Sequence, residues 1–194
     1  MIYRVHQDRK YKTFSVNNDD IWEKLGEDTM FHIDRTPCSY IKNWQPIKID
    51  FYSDNKKALV PDITESNGKL FFSKKAAEVL TPILRADGEF LPVYSSEATG
   101  FLYNCLSTSE QVDGLDAEKS IDDPYSGNNF ISFNESKVRG LKVFKTELDT
   151  YLGIFCTEGV KTAVENSDLK GIVFSEELGN MFPPDVDSSQ PLSN

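Results

Sequence analysis

No apolar run in this 194-residue chain is longer than three residues, and Leu70-Phe71-Phe72 is typical. A membrane-spanning helix needs about twenty consecutive apolar residues, so none is expected. The apolar residues come instead in short segments, some alternating and some at helical spacing, cut apart by turn residues. That pattern predicts an α+β fold with a mostly antiparallel sheet and two or three short helices packed on one side of it. Hydrophobic residues at 39% and charged residues at 27% fit an ordinary globular chain with a sizeable core.

Residues 1–16 read as one or two strands, because Tyr3 and Val5 alternate with Arg4 and His6, and Thr13–Val16 resumes the alternation. Asp20 and Glu23 resemble a capping box, and Gly26 stops a short helix carrying Ile21, Trp22 and Leu25. Residues 27–46 read as irregular, and Ile47–Phe51 as a period-2 strand. Asn67-Gly68 marks a turn before a buried strand at Leu70–Phe72. Ser73 caps a helix that Pro82 is expected to kink or end.

Further strands are expected at 90–94, 101–106, 130–133, 141–145, 152–156 and 171–174, with a helix over 158–167 capped by Thr157. The strand–hydroxyl–helix order of Leu70–Ala77 returns at Ile154–Lys161, either as a duplicated unit or as a common local arrangement. Residues 1–43 are expected to join 44–175 in one compact unit, with 176–194 as a flexible Pro-, Ser- and Asp-rich tail.

The three cysteines, Cys38, Cys105 and Cys156, include no C-x-x-C pair, which argues against a disulfide framework and a zinc site. Cys105 and Cys156 read as core. No apolar leader is visible at the N-terminus, so a cytoplasmic protein is expected. His6 and His32 stand apart in no ligand spacing; His6 is expected at the surface. No phosphate cradle or serine elbow occurs, and no metal or cofactor is expected. Arg4, Arg9, Lys10 and Lys12, among Tyr3, Tyr11 and Phe14, read as a solvent-facing basic strand or a stacking surface for nucleic acid. The net charge of −10 disfavours nucleic acid and anionic membranes as partners.

That charge is uneven. Residues 106–135 hold Glu110, Asp113, Asp116, Glu118, Asp122, Asp123 and Glu135 against Lys119 alone, a local net of −6. Asp113-Gly114-Leu115-Asp116 does not follow a calcium-loop ligand pattern. Three readings remain: a solvated loop, a carboxylate pair for acid–base catalysis without supporting partners in the segment, or a face for a basic protein partner drawn in by long-range attraction.

The order of several short segments carries a resemblance. Gly88-Glu89-Phe90-Leu91-Pro92-Val93 precedes Leu115-Asp116-Ala117-Glu118-Lys119-Ser120; then Ile154-Phe155-Cys156-Thr157 and a helix lead to Leu169-Lys170-Gly171-Ile172-Val173-Phe174. Over residues 44–175 this series resembles a bacterial family of immunity-protein domains from polymorphic toxin, contact-dependent and type VI secretion systems. The resemblance implies a non-enzymatic antidote that binds a cognate toxin domain and blocks its active site or substrate path. A toxin acting in the cytoplasm, such as a basic nuclease, is the expected partner, and Glu110, Asp113, Asp116, Glu118, Asp122 and Asp123 are the candidate contacts. Within the same segment, Leu115 reads as a buried anchor, with Asp116 and Ser120 capping a turn. Two other readings stand beside it: a scaffold or regulatory module of a secretion system, and a small enzyme built on Cys38 and His32.

Overall fold

The computed structural model describes residues 1–121 and 130–183. The elements run β1 (Ile2–Gln7), β2 (Thr13–Val16), α1 (Asn18–Leu25), β3 (Ile47–Tyr52), β4 (Ile63–Ser66), β5 (Lys69–Ser73), α2 (Lys74–Leu84), β6 (Gly88–Tyr94) and β7 (Thr99–Cys105). After them come α3 (Glu135–Val138), β8 (Val143–Phe144), β9 (Ile154–Thr157), α4 (Glu158–Asn166) and β10 (Ile172–Ser175). The class is α+β.

The strands form two sheets. A four-stranded sheet has the order β10-β1-β9-β8 and is antiparallel throughout. A six-stranded sheet has the order β2-β3-β6-β7-β5-β4, with β3 and β6 as its one parallel pair. Its two edges meet: β2 lies beside β4, and the Thr13 hydroxyl donates to the Glu65 carbonyl at 3.3 Å. The larger sheet therefore curls on itself.

Three apolar clusters follow from this layout. The first lies between the two sheets, where Tyr3, Val5, Leu70, Phe72, Tyr103 and Ile154 meet Ala76, Leu80, Val160 and Val164 of α2 and α4. The second fills the curl with Phe14, Ile47, Phe71, Leu91 and Leu102, and is closed by Ile21 of α1 and Phe31 of the following loop. The third lies on the other face of the small sheet and centres on Phe133, Phe144 and Phe155, whose ring centroids are 4.9–5.9 Å apart. Strand β1 is therefore covered on both faces, which is why its residues are buried through Val5 and His6 and do not alternate with solvent.

Local expectations hold with some shifts. Ser73 caps α2 by accepting from the Ala76 N–H at 3.2 Å. Pro82 sits in the last turn of α2, and the helix ends at Leu84. The cap of α1 is Asn17, which accepts from the Asp20 N–H at 2.9 Å, and not Asp20 itself. Asp20 instead accepts from the Lys48 N–H and pairs with Lys24, tying α1 to β3. Asn67 and Gly68 take positive φ of 51° and 72°, the paired left-handed turn that joins β4 to β5. A Cβ on Gly68 would stand 2.8 Å from the Tyr151 carbonyl. Residues 130–133 form isolated bridges and not a strand. Helices α2 and α4 pack together over the first cluster, whereas α1 closes the curl elsewhere, so the helices are not confined to one side. Among the described residues, no helix is long and apolar enough to cross a membrane.

Candidate functional site

The acidic segment leaves β7 at a fixed point. The Asp87 carbonyl accepts from the N–H groups of Leu106 and Ser107, and its carboxylate accepts from the Ser107 hydroxyl at 2.8 Å and the Lys142 N–H at 2.8 Å. A single 3₁₀ turn at Glu110–Val112 follows, ending at Asp113 in the left-handed region with φ 48°. The chain then runs as one arm of an antiparallel ribbon. Leu115 is bridged to Phe133, the Asp116 N–H donates to the Ser132 carbonyl, and Ile121 and Phe130 exchange hydrogen bonds at 2.8 and 3.0 Å. The base of the ribbon rests on the third apolar cluster through Leu115, Ile131 and Phe133.

The far end of the described ribbon is apolar and open to solvent. Ile121 is 54% exposed and Phe130 59%. Glu118, three residues before Ile121, is exposed, and exposed Asp113 lies at the base of the ribbon. Asp116 is half-buried, and the turn closes through its backbone carbonyl, which accepts from the Ser120 N–H at 2.9 Å. Its carboxylate pairs with Lys119 at 2.6 Å and the Ser120 hydroxyl bonds Ser132, so neither side chain caps the turn as expected. The Lys119 hydrogen bond holds the Asp116 carboxyl below the usual range.

Glu110 is placed differently from the surface contact expected of it. Its Oε1 accepts from the Ser109 hydroxyl, the Thr146 hydroxyl at 2.6 Å and the Glu147 N–H at 3.0 Å, and its Oε2 is buried with no partner among the described residues. The carboxylate is turned into the protein and anchors the turn before β9. Asp122 and Asp123 lie outside the described residues.

A second polar centre, marked by no motif, lies inside the junction of the two sheets. Arg4 is 3% exposed; its Nη2 is 3.5 Å from Asp149 Oδ2 and its Nη1 donates to the Leu178 carbonyl at 2.9 Å. The guanidinium also covers the Phe155 ring at 5.6 Å. Lys145, 1% exposed, donates to the Arg35 carbonyl, and buried Lys69 donates to the Asp34 carbonyl, so both clasp the loop after α1. Burial pushes the Lys69 ammonium down to about 8 and raises the Asp149 and Glu65 carboxyls. His6, expected at the surface, is 3% exposed, and burial followed by neighbouring Arg4 pushes it down to about 4. Arg4 likewise is no part of a solvent-facing basic strand. Spacing could not reveal these contacts, because each joins elements far apart in sequence.

The Cys38–His32 pairing is not assembled. Cys38 is exposed on its loop, where its carbonyl accepts from the Asn104 amide. His32 packs edge-on against Trp22 at 5.7 Å and makes no hydrogen bond to Cys38. Cys105 and Cys156 are free and buried, and burial pushes the Cys105 thiol up to about 12. A scan against protein-family models and a search of curated proteins found no match to this chain.

Proposed function

We propose that this chain is an immunity protein of the cytoplasm that binds a basic, cytoplasm-acting toxin domain and blocks its active site or substrate path without catalysis. The ordered segments over residues 44–175 that resemble immunity-protein domains support this reading. The observation that carries it is the ribbon: Ile121 and Phe130 stand exposed on its two described arms, with exposed Glu118 on the same arm as Ile121 and exposed Asp113 at its base. Protein interfaces pair an apolar centre, which supplies most of the affinity, with a polar rim. The local charge of −6 steers a basic partner toward that centre.

The test uses the toxin domain encoded by the adjacent upstream gene, produced alone and together with this chain. Growth rescue and a co-eluting complex are expected. Ile121→Ala with Phe130→Ala is expected to weaken the complex about 100-fold, in line with the loss of two central anchors. Reversal of Asp113 and Glu118 to Lys is expected to slow association, and more so at low salt. A neighbour that is harmless, or is neither bound nor relieved, overturns the immunity reading. Rescue with affinity untouched by any of these substitutions overturns the ribbon as the contact surface.

A further inference from the structure

Residues 26–46 join α1 to β3, and one 3₁₀ turn, Ile41–Asn43, is their only regular element. Irregular connections longer than about 12–15 residues are uncommon in a compact fold and usually carry function. This one is held in place by side chains of the elements around it. Glu89 of β6, 8% exposed, accepts from the Ser39 hydroxyl at 2.7 Å and from the Tyr40 and Ile41 N–H groups at 2.7 and 3.3 Å. Asn104 of β7 donates to Glu89 at 2.9 Å and to the Cys38 carbonyl at 2.8 Å. The Trp44 indole donates to the Pro92 carbonyl at 2.9 Å, and Lys24 of α1 donates to the Pro46 carbonyl at 2.7 Å. Burying a carboxylate is costly, and Glu89 directs most of its bonds at the shape of this loop.

The loop and the end of α1 enclose an open recess of about 680 Å³, within the size range of small-molecule sites. Asp28, Lys42, Asn43 and Gln45 line it, are exposed, and make no side-chain hydrogen bond among the described residues. Half-buried Leu25 and Tyr40 supply apolar surface to the same recess. We propose that this recess binds a neutral, hydroxyl-rich small molecule, a mono- or disaccharide.

The charges of the lining select neither an anion nor a cation. The Asp28 carboxylate and the Lys42 ammonium cancel, and Lys24, which also lines the recess, is paired with Asp20 at 3.0 Å. What remains is a mixture of donors and acceptors. The two carboxamides offer both kinds, the carboxylate accepts and the ammonium donates. A sugar hydroxyl is donor and acceptor at once and satisfies either, while Leu25 and the Tyr40 ring offer apolar surface to the C–H face of the sugar. Exchanging water for protein hydrogen bonds gains little net free energy, so sugar affinity depends on walls that need no ordering. The bonds from Glu89, Asn104, Trp44 and Lys24 supply such walls. The recess shares no residue with the ribbon, and the inference does not rest on the proposed function.

Titration of isotope-labelled full chain with glucose, galactose, N-acetylglucosamine, maltose and lactose, from micromolar to tens of millimolar, tests it by amide chemical shifts. Saturable binding of at least one sugar is expected, with the shifts confined to residues 24–45 and their anchors Glu89 and Asn104. Asn43→Ala with Gln45→Ala is expected to weaken that binding about tenfold, the loss of two hydrogen bonds. Both residues are exposed, and far-ultraviolet circular dichroism shows that the double variant keeps its fold. A neutral ligand makes the affinity independent of salt. No saturable shift with any of the five sugars overturns the inference, as do shifts centred elsewhere or affinity untouched by the double variant. Tighter binding of citrate or spermidine than of any sugar, lost as salt is added, overturns the ligand class.

Discussion

Replacing Arg4 by Met removes one charge from the interior and leaves most of the side-chain stem. The guanidinium is 3% exposed and pairs with Asp149, whose Oδ2 also accepts from the Gly153 N–H at 2.8 Å and whose Oδ1 has no partner among the described residues. Without Arg4, a buried carboxylate is left with that one bond and no counter-charge in direct contact. Breaking a buried pair in this way costs about 3–5 kcal/mol, against about 0–1 for a pair at the surface. With a urea dependence of about 2 kcal/mol per molar, the unfolding midpoint is expected to fall by about 2 M. Lys48→Met, which breaks the exposed pair with Asp50, is expected to move it far less.

Two further arms locate the cause. Arg4→Met with Asp149→Asn removes both charges and keeps an acceptor for Gly153, so most of the loss is expected to return. The pH dependence carries a sign. Burial already raises the folded Asp149 carboxyl above its ordinary value, with Arg4 opposing that rise. A carboxyl raised on folding contributes stability at low pH that is lost as pH rises through its folded value. Removing Arg4 raises it further, so the loss measured at pH 7 is expected to shrink near pH 4.5. A midpoint shift no larger than that of Lys48→Met, or one independent of pH, refutes the argument that this pair is desolvated.

His6 makes the opposite demand. It is held neutral down to about pH 4 in the folded chain and titrates near 6.5 when unfolded, so stability is expected to fall between those values by up to about 1.4 kcal/mol per pH unit. His6→Gln is expected to flatten that limb in matched urea titrations. Gly68→Ala is expected to cost about 1–3 kcal/mol in thermal or urea unfolding, because a positive φ and a contact of 2.8 Å to the Tyr151 carbonyl act together. With a thiol reagent at pH 8, Cys38 alone is expected to react in the native protein, and Cys105 and Cys156 only after denaturation; mass spectrometry counts the adducts.

Most strands and helices were legible because their signals are local. Ile47–Phe51 alternates, Asn67-Gly68 turns, and Ser73 caps. Strand β4 was not, since Ile63-Thr64-Glu65-Ser66 has one aliphatic residue and becomes a strand by pairing with β5 across the turn. The α1 cap was misplaced by three residues because Asp20 satisfied a local pattern while its carboxylate serves Lys48 in a distant strand. Burial of Arg4, His6 and Lys145 depends on two sheets meeting, which no window of sequence reports. The acidic character of 106–135 was legible as charge. The inward turn of Glu110 was not, because Thr146 and Glu147 impose it from 36 and 37 residues away. The exposure of Phe130 was equally hidden, because an apolar residue in a strand-like run reads as core.

The ribbon's placement separates binding from folding. Its base shares the third apolar cluster with β8 and β9, whereas Ile121 and Phe130 lie beyond that cluster and touch solvent. Truncating the two tips therefore removes little buried area, and Ile121→Ala with Phe130→Ala is expected to leave stability within about 0.5 kcal/mol. Phe133 is 8% exposed and packs on Phe144 and Phe155, so Phe133→Ala is expected to cost about 3–5 kcal/mol. Thermal unfolding of the two variants distinguishes the arrangements. If the tip variant is as unstable as Phe133→Ala, the exposed pair is part of the fold and the ribbon is no free surface. If it is stable while binding is lost, the apolar tips serve a partner and not the chain that carries them.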